Sequence, residues 1–242
     1  MVPLRDRNPT VLTPVVTYII LGINVIVFLY ELTLSSADLQ AFFETWAVIP
    51  SQLTAAFAGQ MTDPSRPPEW ITLITAQFLH GGFFHIAGNM LFLWVFGNNV
   101  EDRLGHFRFP IFYLGCGALA SLAQWYFDPA SSIPSLGASG AIAGVLGAYI
   151  LRFPKAKVLT LVPLGFFWPT FELPAWVFLG FWFVQQAFYG LVSLNVSTTI
   201  GMESGGIAYW AHAGGFVVGG VLGPIFGLFA ERSPYDKAYT EE

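Results

Sequence analysis

The sequence has few charged residues. Of its 242 residues, 10 are Lys or Arg and 15 are Asp or Glu, which together make up 10% of the chain. Soluble domains carry about 25%, because charged side chains keep their surfaces in water. Hydrophobic residues reach 55% and aromatic residues 17%. This composition excludes a soluble enzyme, a disordered protein and a nucleic-acid binder as leading interpretations, and it predicts an integral protein of the lipid bilayer.

Three other features are absent. The single cysteine, Cys116, excludes an intramolecular disulfide, and its apolar neighbours favour a small buried side chain. No cleavage site of small residues follows the polar residues 5–10, so we interpret the first apolar run as an anchor and not a signal peptide. No internal repeat is visible, which disfavours an inverted-repeat transporter. We expect a single domain over residues 1–242.

Charge-free intervals locate the membrane spans. A helix that crosses a hydrocarbon core of about 30 Å needs roughly 20 apolar residues. The intervals and the turn formers that divide them predict an all-α integral membrane protein with six transmembrane helices. The predicted spans are residues 15–31, 83–100, 109–127, 139–151, 175–194 and 206–230.

The basic residues test this count independently, because Lys and Arg accumulate in cytoplasmic loops. With the N-terminus in the cytoplasm, six spans place nine of the ten basic residues inside and only Arg66 outside. An odd or inverted count would scatter them. We therefore expect a multi-pass protein of the plasma (inner) membrane with both termini in the cytoplasm.

Two connections require a separate interpretation. In the external connection 34–69, residues 39–57 have helical apolar spacing, and we expect a partly submerged element there. Residues 158–168 are apolar but too short to cross the membrane, and Pro163 and Pro169 interrupt them. We interpret this second segment as interfacial or re-entrant.

Polar groups within the membrane are costly and are functional candidates for that reason. No Asp, Glu, Lys or Arg lies in the middle of a predicted span, and there is no His-Glu-x-x-His motif. These absences disfavour a proton-coupled transporter, an aspartyl intramembrane protease and a zinc protease. The remaining candidates are His85 and Asn89 on one face of span two, Ser139 at the start of span four and His212 in span six. All four lie in the outer half of the membrane, because these three spans run inward.

Helix geometry gives the depth of Ser139. It lies 13 residues before Arg152, or about 20 Å at 1.5 Å per residue. If Arg152 marks the inner interface, Ser139 lies roughly 10 Å below the outer surface of a core of about 30 Å. The irregular backbone before it must then pack in protein or line water. We therefore expect a wet cavity that opens outward, with Ser139 at its floor.

Small residues recur at every fourth position in spans four and six. The two sets are Gly140, Gly144 and Ala148, and Ala211, Gly215, Gly219 and Gly223. Such faces allow two helices to approach closely, and helix packing is their common meaning. If the two faces meet, Ser139 and His212 come within hydrogen-bond reach.

A serine beside a histidine favours nucleophilic catalysis. His212 would accept the hydroxyl proton of Ser139 and later pass it to a leaving amine. The Ser139 backbone N–H, the Asn89 amide and the His85 imidazole would donate to the oxyanion. The alternatives are structural: Ser139 caps the fourth helix, and His85 and Asn89 hydrogen-bond between helices.

Four motifs, in this order, resemble the rhomboid intramembrane serine proteases. They are FLHGG at 78–82 with His85 and Asn89, GNNVEDRLG at 97–105, GASG at 137–140 and AHAGG at 211–215. The resemblance covers nearly the whole chain. It implies a six-helix rhomboid-type bundle with a membrane-dipping loop between spans one and two, a lateral gate at span five, and neither cofactor nor metal.

The resemblance also implies roles for single residues. Ser139 is the expected nucleophile and His212 the general base of a dyad without a carboxylate, while His85, Asn89 and the Ser139 N–H form the oxyanion site. Five glycines are expected to pack the helices around it: Gly137, Gly140, Gly144, Gly215 and Gly219. The expected substrates are membrane proteins with a transmembrane helix, cleaved near the outer membrane boundary.

Two rival functions remain open. One is a catalytically inactive rhomboid-like protein that binds or escorts membrane helices. The other is a haem or metal protein that uses His80, His85 and His212, although no cysteine or acidic partner supports it.

The chain departs from the family pattern at two places. Ile71-Thr72 stands where many relatives carry Trp-Arg, and Ala143 stands where an aromatic ring often packs on the catalytic imidazole. Tyr209 and Trp210 are then the candidates to orient His212. Among the other polar residues, we expect Glu101 and Arg103 to form an interfacial ion pair, His106 to be an exposed bystander and His80 to order its loop.

Overall fold

The computed structural model describes residues 1–60, 66–194 and 208–230. The elements follow one another as β1 (Val2–Asp6), α1 (Val15–Glu31), α2 (Ser36–Trp46), α3 (Pro50–Phe57), α4 (Glu69–Thr75), a 3-10 turn (Ala76–Phe78), α5 (Phe83–Leu104), α6 (Arg108–Phe127), α7 (Ser139–Arg152), β2 (Lys157–Leu161), β3 (Thr170–Pro174), α8 (Ala175–Ser193) and α9 (Tyr209–Ile225).

Each of the six predicted spans coincides with a helix: α1, α5, α6, α7, α8 and α9. The starts of the first two agree because Pro14 and Gly82 precede them, and α5 continues to Leu104, where Gly105 ends it at a φ of +78°. The last helix ends at Ile225 and not at residue 230. The predicted start of span six at 206 and the basic residues Arg232 and Lys237 lie outside the described residues.

By length and apolarity, fewer than six of these helices qualify as membrane spans. Among the described residues, Ala175–Ser193 alone is long and apolar enough to cross a membrane by itself. The pair Glu69–Phe78 and Phe83–Leu104 meets the same criterion together but is bent by 86° at its break. Val15–Glu31 and Ser139–Arg152 are apolar but shorter. The crossing of the membrane by all six helices therefore stays a prediction.

A three-stranded antiparallel sheet is the part of the fold that the all-α prediction missed. β2 lies between β1 and β3. In β2, Val158 and Thr160 are fully buried whereas Lys157 is exposed, which is the alternation of a strand with one covered face. Of the two interpretations of residues 158–168, interfacial or re-entrant, the hairpin contradicts the re-entrant one, and the interfacial one stays a prediction. The segment forms a β-hairpin, and Pro163 and Pro169 lie outside its ladder, where their missing N–H groups cost nothing.

The centre of the molecule is α7. Ten successive residues of this helix, 140–149, are buried. It packs against α9, α6 and α5, and the buried cluster around it includes Phe96, Phe112 and Tyr149. Cys116 is fully buried on α6, as its apolar neighbours indicate. The helix that begins with Ser139 is thus the most enclosed element of the fold.

The external connection contains α2, α3 and α4. At its second half, Arg66 pairs with Glu69 at 3.3 Å and both side chains are buried. Thr72 is fully buried as well, and its hydroxyl donates to the Glu69 carbonyl at 2.8 Å. These three residues hold the start of α4 where the Trp-Arg pair of many relatives is absent.

The expected ion pair between Glu101 and Arg103 does not form. Glu101 is fully buried and accepts the Val16 and Thr17 N–H groups at 2.9 and 2.7 Å, so it caps the start of α1. Arg103 instead donates to the carbonyl of Ala230 at 2.7 Å, beyond the end of α9. His106 is not a bystander, since its Nδ1 lies 2.7 Å from the Glu101 carboxylate. Glu101 and Arg103 therefore each bind backbone groups of another segment and not each other.

Candidate active site

The segment before α7 places Ser139. Gly137 has a φ of +120°, which disfavours any other residue, and its N–H donates to the Ala76 carbonyl at 2.8 Å. A side chain at position 137 would also meet the His85 ring, with its Cβ 2.7 Å from Nε2. Ser139 is the first residue of α7, so its backbone N–H has no acceptor within the helix.

Ser139 and His212 meet across the contact of α7 with α9. Their Oγ and Nε2 atoms are 2.8 Å apart, and both residues are half-buried. The close approach depends on glycine. A Cβ at Gly215 would overlap the Gly140 carbonyl oxygen, and a Cβ at Gly219 would overlap that of Gly144. The small-residue faces of spans four and six therefore face each other.

The second nitrogen of His212 has a partner that the sequence did not suggest. Its Nδ1 lies 2.8 Å from Oε1 of Gln186, a buried residue of α8. Since an amide oxygen only accepts, Nδ1 carries the proton and Nε2 presents its lone pair to the Ser139 hydroxyl. The Trp182 ring lies 5.8 Å from the imidazole at an interplanar angle of 34°. One helix thus supplies both an acceptor and a ring to His212.

Tyr209 and Trp210, the expected candidates for this task, point elsewhere. Tyr209 lies against Tyr189, with ring centroids 5.4 Å apart, and Trp210 stacks on Phe127 at 3.7 Å. Ala143 is fully buried, and a Cβ added at Gly215 would lie 3.2 Å from its Cβ, so α9 approaches α7 closely at this position. A signal for the real partner existed in the sequence, because Gln185 and Gln186 are amides within an otherwise apolar span.

His85 and Asn89 reach the same place from α5. Asn89 is buried, and no described residue accepts a hydrogen bond from its Nδ2. That atom lies 3.7 Å from the position of a Cβ on Gly137. The Gly81 N–H donates to Nδ1 of His85 at 3.4 Å, which assigns the proton of the neutral ring to Nε2, the nitrogen that faces Gly137. Two side-chain donors therefore converge beside Ser139.

His80 is 1% exposed, and its backbone N–H donates to the Glu31 carboxylate at 3.1 and 3.3 Å. Burial, with a smaller effect of His85, lowers the pKa of His80 to about 3. Its ring lies 5.1 Å from that of His85. The ordering of this loop by Glu31 was not predicted, although a carboxylate at the end of an apolar run is a visible signal.

A small cavity of about 20 Å³ adjoins the serine. It is lined by Gly137, Ser139 and Gly140, with Ser121 and Ser135 in its wall. Its volume is enough for one water molecule. Among the described residues, no group of three or more His, Cys, Asp or Glu side chains is placed to hold a metal ion.

Comparison with known proteins identifies the family of the chain. A family model described as Rhomboid domain matches residues 67–229, which is more than half of the chain. The chain belongs to the rhomboid family. Rhomboid membership makes it a membrane-embedded protein, and its family includes serine proteases as well as inactive members.

Several rhomboid relatives are similar over part of their length. "Rhomboid protein 1, mitochondrial" of Saccharomyces cerevisiae is 34% identical over 63% of this chain and 41% of its own. "Rhomboid protease GluP" of Bacillus subtilis is 34% identical over 57% of this chain and 24% of its own. "Rhomboid-type serine protease 2" of Emericella nidulans is 28% identical over 73% of this chain and 30% of its own. The chain thus spans less than half the length of these relatives.

Proposed function

We propose that this rhomboid protein is an intramembrane serine endopeptidase that uses Ser139 as nucleophile and His212 as general base. The observation that carries the proposal is the 2.8 Å contact of Ser139 Oγ with His212 Nε2, combined with the 2.8 Å contact that orients His212 through Gln186. A positioned serine–histidine pair with a fixed tautomer is the arrangement that nucleophilic catalysis requires.

In the acylation step, Ser139 Oγ attacks the carbonyl carbon of the scissile peptide bond while His212 Nε2 takes the hydroxyl proton. The tetrahedral intermediate places its negative oxygen near the Ser139 N–H, Asn89 Nδ2 and His85 Nε2–H. The unpartnered Asn89 donor supports this assignment, because a buried donor without an acceptor is costly unless a ligand satisfies it. The carbon–nitrogen bond then breaks, and His212 gives its proton to the leaving amine.

In the deacylation step, water attacks the ester on Ser139. His212 takes a proton from this water and returns it to the serine oxygen, which releases the carboxyl product. The cavity of about 20 Å³ beside Ser139 supports this step, since it is large enough for a single water molecule. The reaction needs no cofactor.

The proposed substrates are transmembrane segments of other membrane proteins. If all six helices span the membrane with cytoplasmic termini, Ser139 lies in the outer half of the bilayer. Cleavage is then expected near the outer boundary, after the segment enters beside α8 and unwinds to expose its carbonyls. Small or helix-destabilising residues near the cleaved bond are expected for that reason. We further propose the plasma (inner) membrane as the location, with cytoplasmic termini. Against this location, several relatives have names that include the word mitochondrial or chloroplastic.

The direct test is cleavage of a single-span reporter by the purified protein in liposomes. The wild type is expected to cleave, whereas Ser139→Ala and His212→Ala are expected to lose all measurable activity. Ser132→Ala is the matched control, because this serine is exposed in the segment that precedes α7. Cleavage by either dyad variant would refute the proposal. A wild type that binds the reporter without cleaving it would favour an inactive rhomboid-like protein.

A further inference from the structure

The turn between β2 and β3 exposes an unusual set of side chains. Residues 162–169 read VPLGFFWP and contain no charged residue. Phe166 is fully exposed, Phe167 is 69% exposed and Trp168 is 58% exposed. We call residues 164–168 the aromatic tip. A loop that faces water normally carries polar side chains, so this composition needs an explanation.

The aromatic tip is held rigidly by its own backbone. Leu164 and Phe167 exchange both of their N–H···O bonds, at 2.8 and 3.1 Å. Gly165 takes a φ of +61° between them, as the first central residue of a tight hairpin turn. The only polar side-chain atom of the tip, Trp168 Nε1, donates to the Gly165 carbonyl at 2.8 Å. The tip therefore presents rings outward, while the Trp168 indole N–H and the paired backbone groups of Leu164 and Phe167 are already hydrogen-bonded.

The base of the hairpin carries charged side chains, unlike the apolar tip. Four exposed basic residues lie on or next to β1 and the start of β2: Arg5, Arg7, Lys155 and Lys157. Two acidic residues accompany them. Glu172 pairs with Arg7 and lies 3.8 Å from Lys157, and Asp6 accepts the Tyr149 hydroxyl at 2.6 Å. Four positive charges against two negative ones leave an excess of positive charge at the base of the hairpin, at the end of the ladder opposite the apolar tip.

We propose that the aromatic tip is a membrane anchor that inserts into the cytoplasmic headgroup region of the bilayer. Aromatic rings concentrate at this depth, and basic residues near the membrane surface attract anionic lipids. A contact of the tip with a second copy of this chain is the competing outcome, which the labelling experiment below separates from membrane insertion. The proposal rests on the six-span topology of the proposed function, which puts the hairpin on the cytoplasmic side.

The anchor has a consequence for α8. β3 ends at Pro174 and α8 begins at Ala175 without a linker. The Ala175 and Trp176 N–H groups donate to the carbonyls of Ala156 and Pro154 at 2.8 and 3.0 Å, which ties the start of α8 to the start of the hairpin. An anchored hairpin fixes the inner end of α8 in the membrane, so any opening of this helix pivots there and moves its outer end.

Site-directed spin labelling tests the anchor without an activity assay. Since the only native cysteine is buried, nitroxides can be attached to Phe166→Cys and, as a control on the basic flank, to Lys155→Cys. Both are made in Ser139→Ala and reconstituted in phosphatidylcholine–phosphatidylglycerol vesicles. We expect the label at 166 to collide more with oxygen than with a water-soluble nickel complex, and the label at 155 to show the reverse.

Either of two other results would overturn the proposal. A label at 166 that prefers the nickel complex places the tip in water. A label shielded from both reagents, with spectral broadening from a second label, places it against another copy. Failure of the proposed function is a separate outcome, because unlabelled wild type would then leave the reporter intact while the label at 166 still prefers oxygen.

Discussion

The two sides of α9 are packed by different means. Towards α7 it forms what we call the glycine seam, in which Gly215 and Gly219 lie against the carbonyls of Gly140 and Gly144. Towards α8 it forms the aromatic seam, in which Phe183 stacks on Phe216 at 4.7 Å and Trp182 and Gln186 contact His212. Ser139 of the proposed dyad therefore lies at the glycine seam, where α9 packs through backbone atoms. The contacts that orient His212 lie at the aromatic seam, where α9 packs through side chains.

The proposed reaction requires a fixed distance from Ser139 to His212 and an α8 that can move, and the two seams meet these requirements separately. Backbone-to-backbone packing has no rotamers to change, so the glycine seam fixes the distance from Ser139 to His212. Side chains can exchange rotamers while a helix moves, so the aromatic seam allows α8 to shift and to rejoin His212 afterwards. We therefore expect the glycine seam to govern stability and the aromatic seam to govern turnover.

The largest expected effect is a loss of folding stability in Gly219→Ala. Its Cβ would overlap the carbonyl group of Gly144, which is backbone and cannot rotate away. Overpacking costs about 1–3 kcal/mol where side chains can adjust, so we expect a loss of at least about 3 kcal/mol here, or no folded protein. Thermal unfolding in detergent, followed by circular dichroism, measures this loss of stability.

Gly220→Ala is the matched control for this variant. The nearest atom to its Cβ is Leu151 Cδ1 at 3.6 Å, an ordinary contact. We expect its stability to stay within about 0.5 kcal/mol of the wild type. Equal melting temperatures for the two alanine variants would show that the glycine seam does not fix α9.

A smaller effect is expected for Gln186→Leu, which keeps the shape of the side chain but removes the acceptor for His212 Nδ1. Without it, the imidazole loses its preferred tautomer, and we expect kcat for reporter cleavage to fall about tenfold with KM unchanged. The melting temperature is expected to stay close to that of the wild type, because the glycine seam is intact.

Gln185→Leu controls for the chemistry of the substitution. This neighbouring glutamine is exposed, so its replacement is expected to leave kcat as it is. If both leucine variants cleave at the wild-type rate, Gln186 does not orient His212. The aromatic seam then only packs α8 against α9 and has no role in turnover.

The smallest expected effect is on the pH dependence of stability. It tests whether the rigid packing of α7 extends to its contact with β1. Tyr149, near the inner end of α7, donates to Asp6 of β1, and burial raises the pKa of Asp6 from 3.8 to about 6. Between these pH values the folded protein holds a proton that the unfolded chain has released. Stability is therefore expected to fall as pH rises through this window and to level off above it.

Asp6→Asn is expected to lose this part of the pH dependence, since the amide does not titrate. Asp128→Asn, at an exposed aspartate after α6, is expected to retain it. Melting temperatures at a series of pH values between about 4 and 7 measure the difference. An unchanged slope in Asp6→Asn would show that Asp6 does not carry the pH dependence of stability in this window.

The sequence predicted well what depends on local patterns. The ends of α1 and α7 agree with the predicted spans to within one residue, because Pro14, Gly137 and Arg152 mark them. The meeting of Ser139 with His212 followed from glycines at every fourth position. These signals are local, so periodicity and turn formers were sufficient to find them.

What the sequence did not reveal depends on contacts between distant segments. Gln186 and His212 are 26 positions apart, and nothing in either helix alone pairs them. The β1–β2 ladder joins residues 2–6 to residues 158–161, and the apolar 158–168 run had no alternation clear enough to exclude a buried segment. Glu101 was assigned to the nearest arginine, although the free N–H groups of α1 provide a better partner.

The most direct test of the account is covalent labelling of the proposed nucleophile. The wild type in detergent is treated with a fluorophosphonate probe, and the modified residue is located by mass spectrometry. The account predicts one adduct, on Ser139, and no adduct in His212→Ala, whose serine would lack its base. An adduct on another serine, undiminished labelling of Ser139 in His212→Ala, or no adduct in the wild type would contradict it.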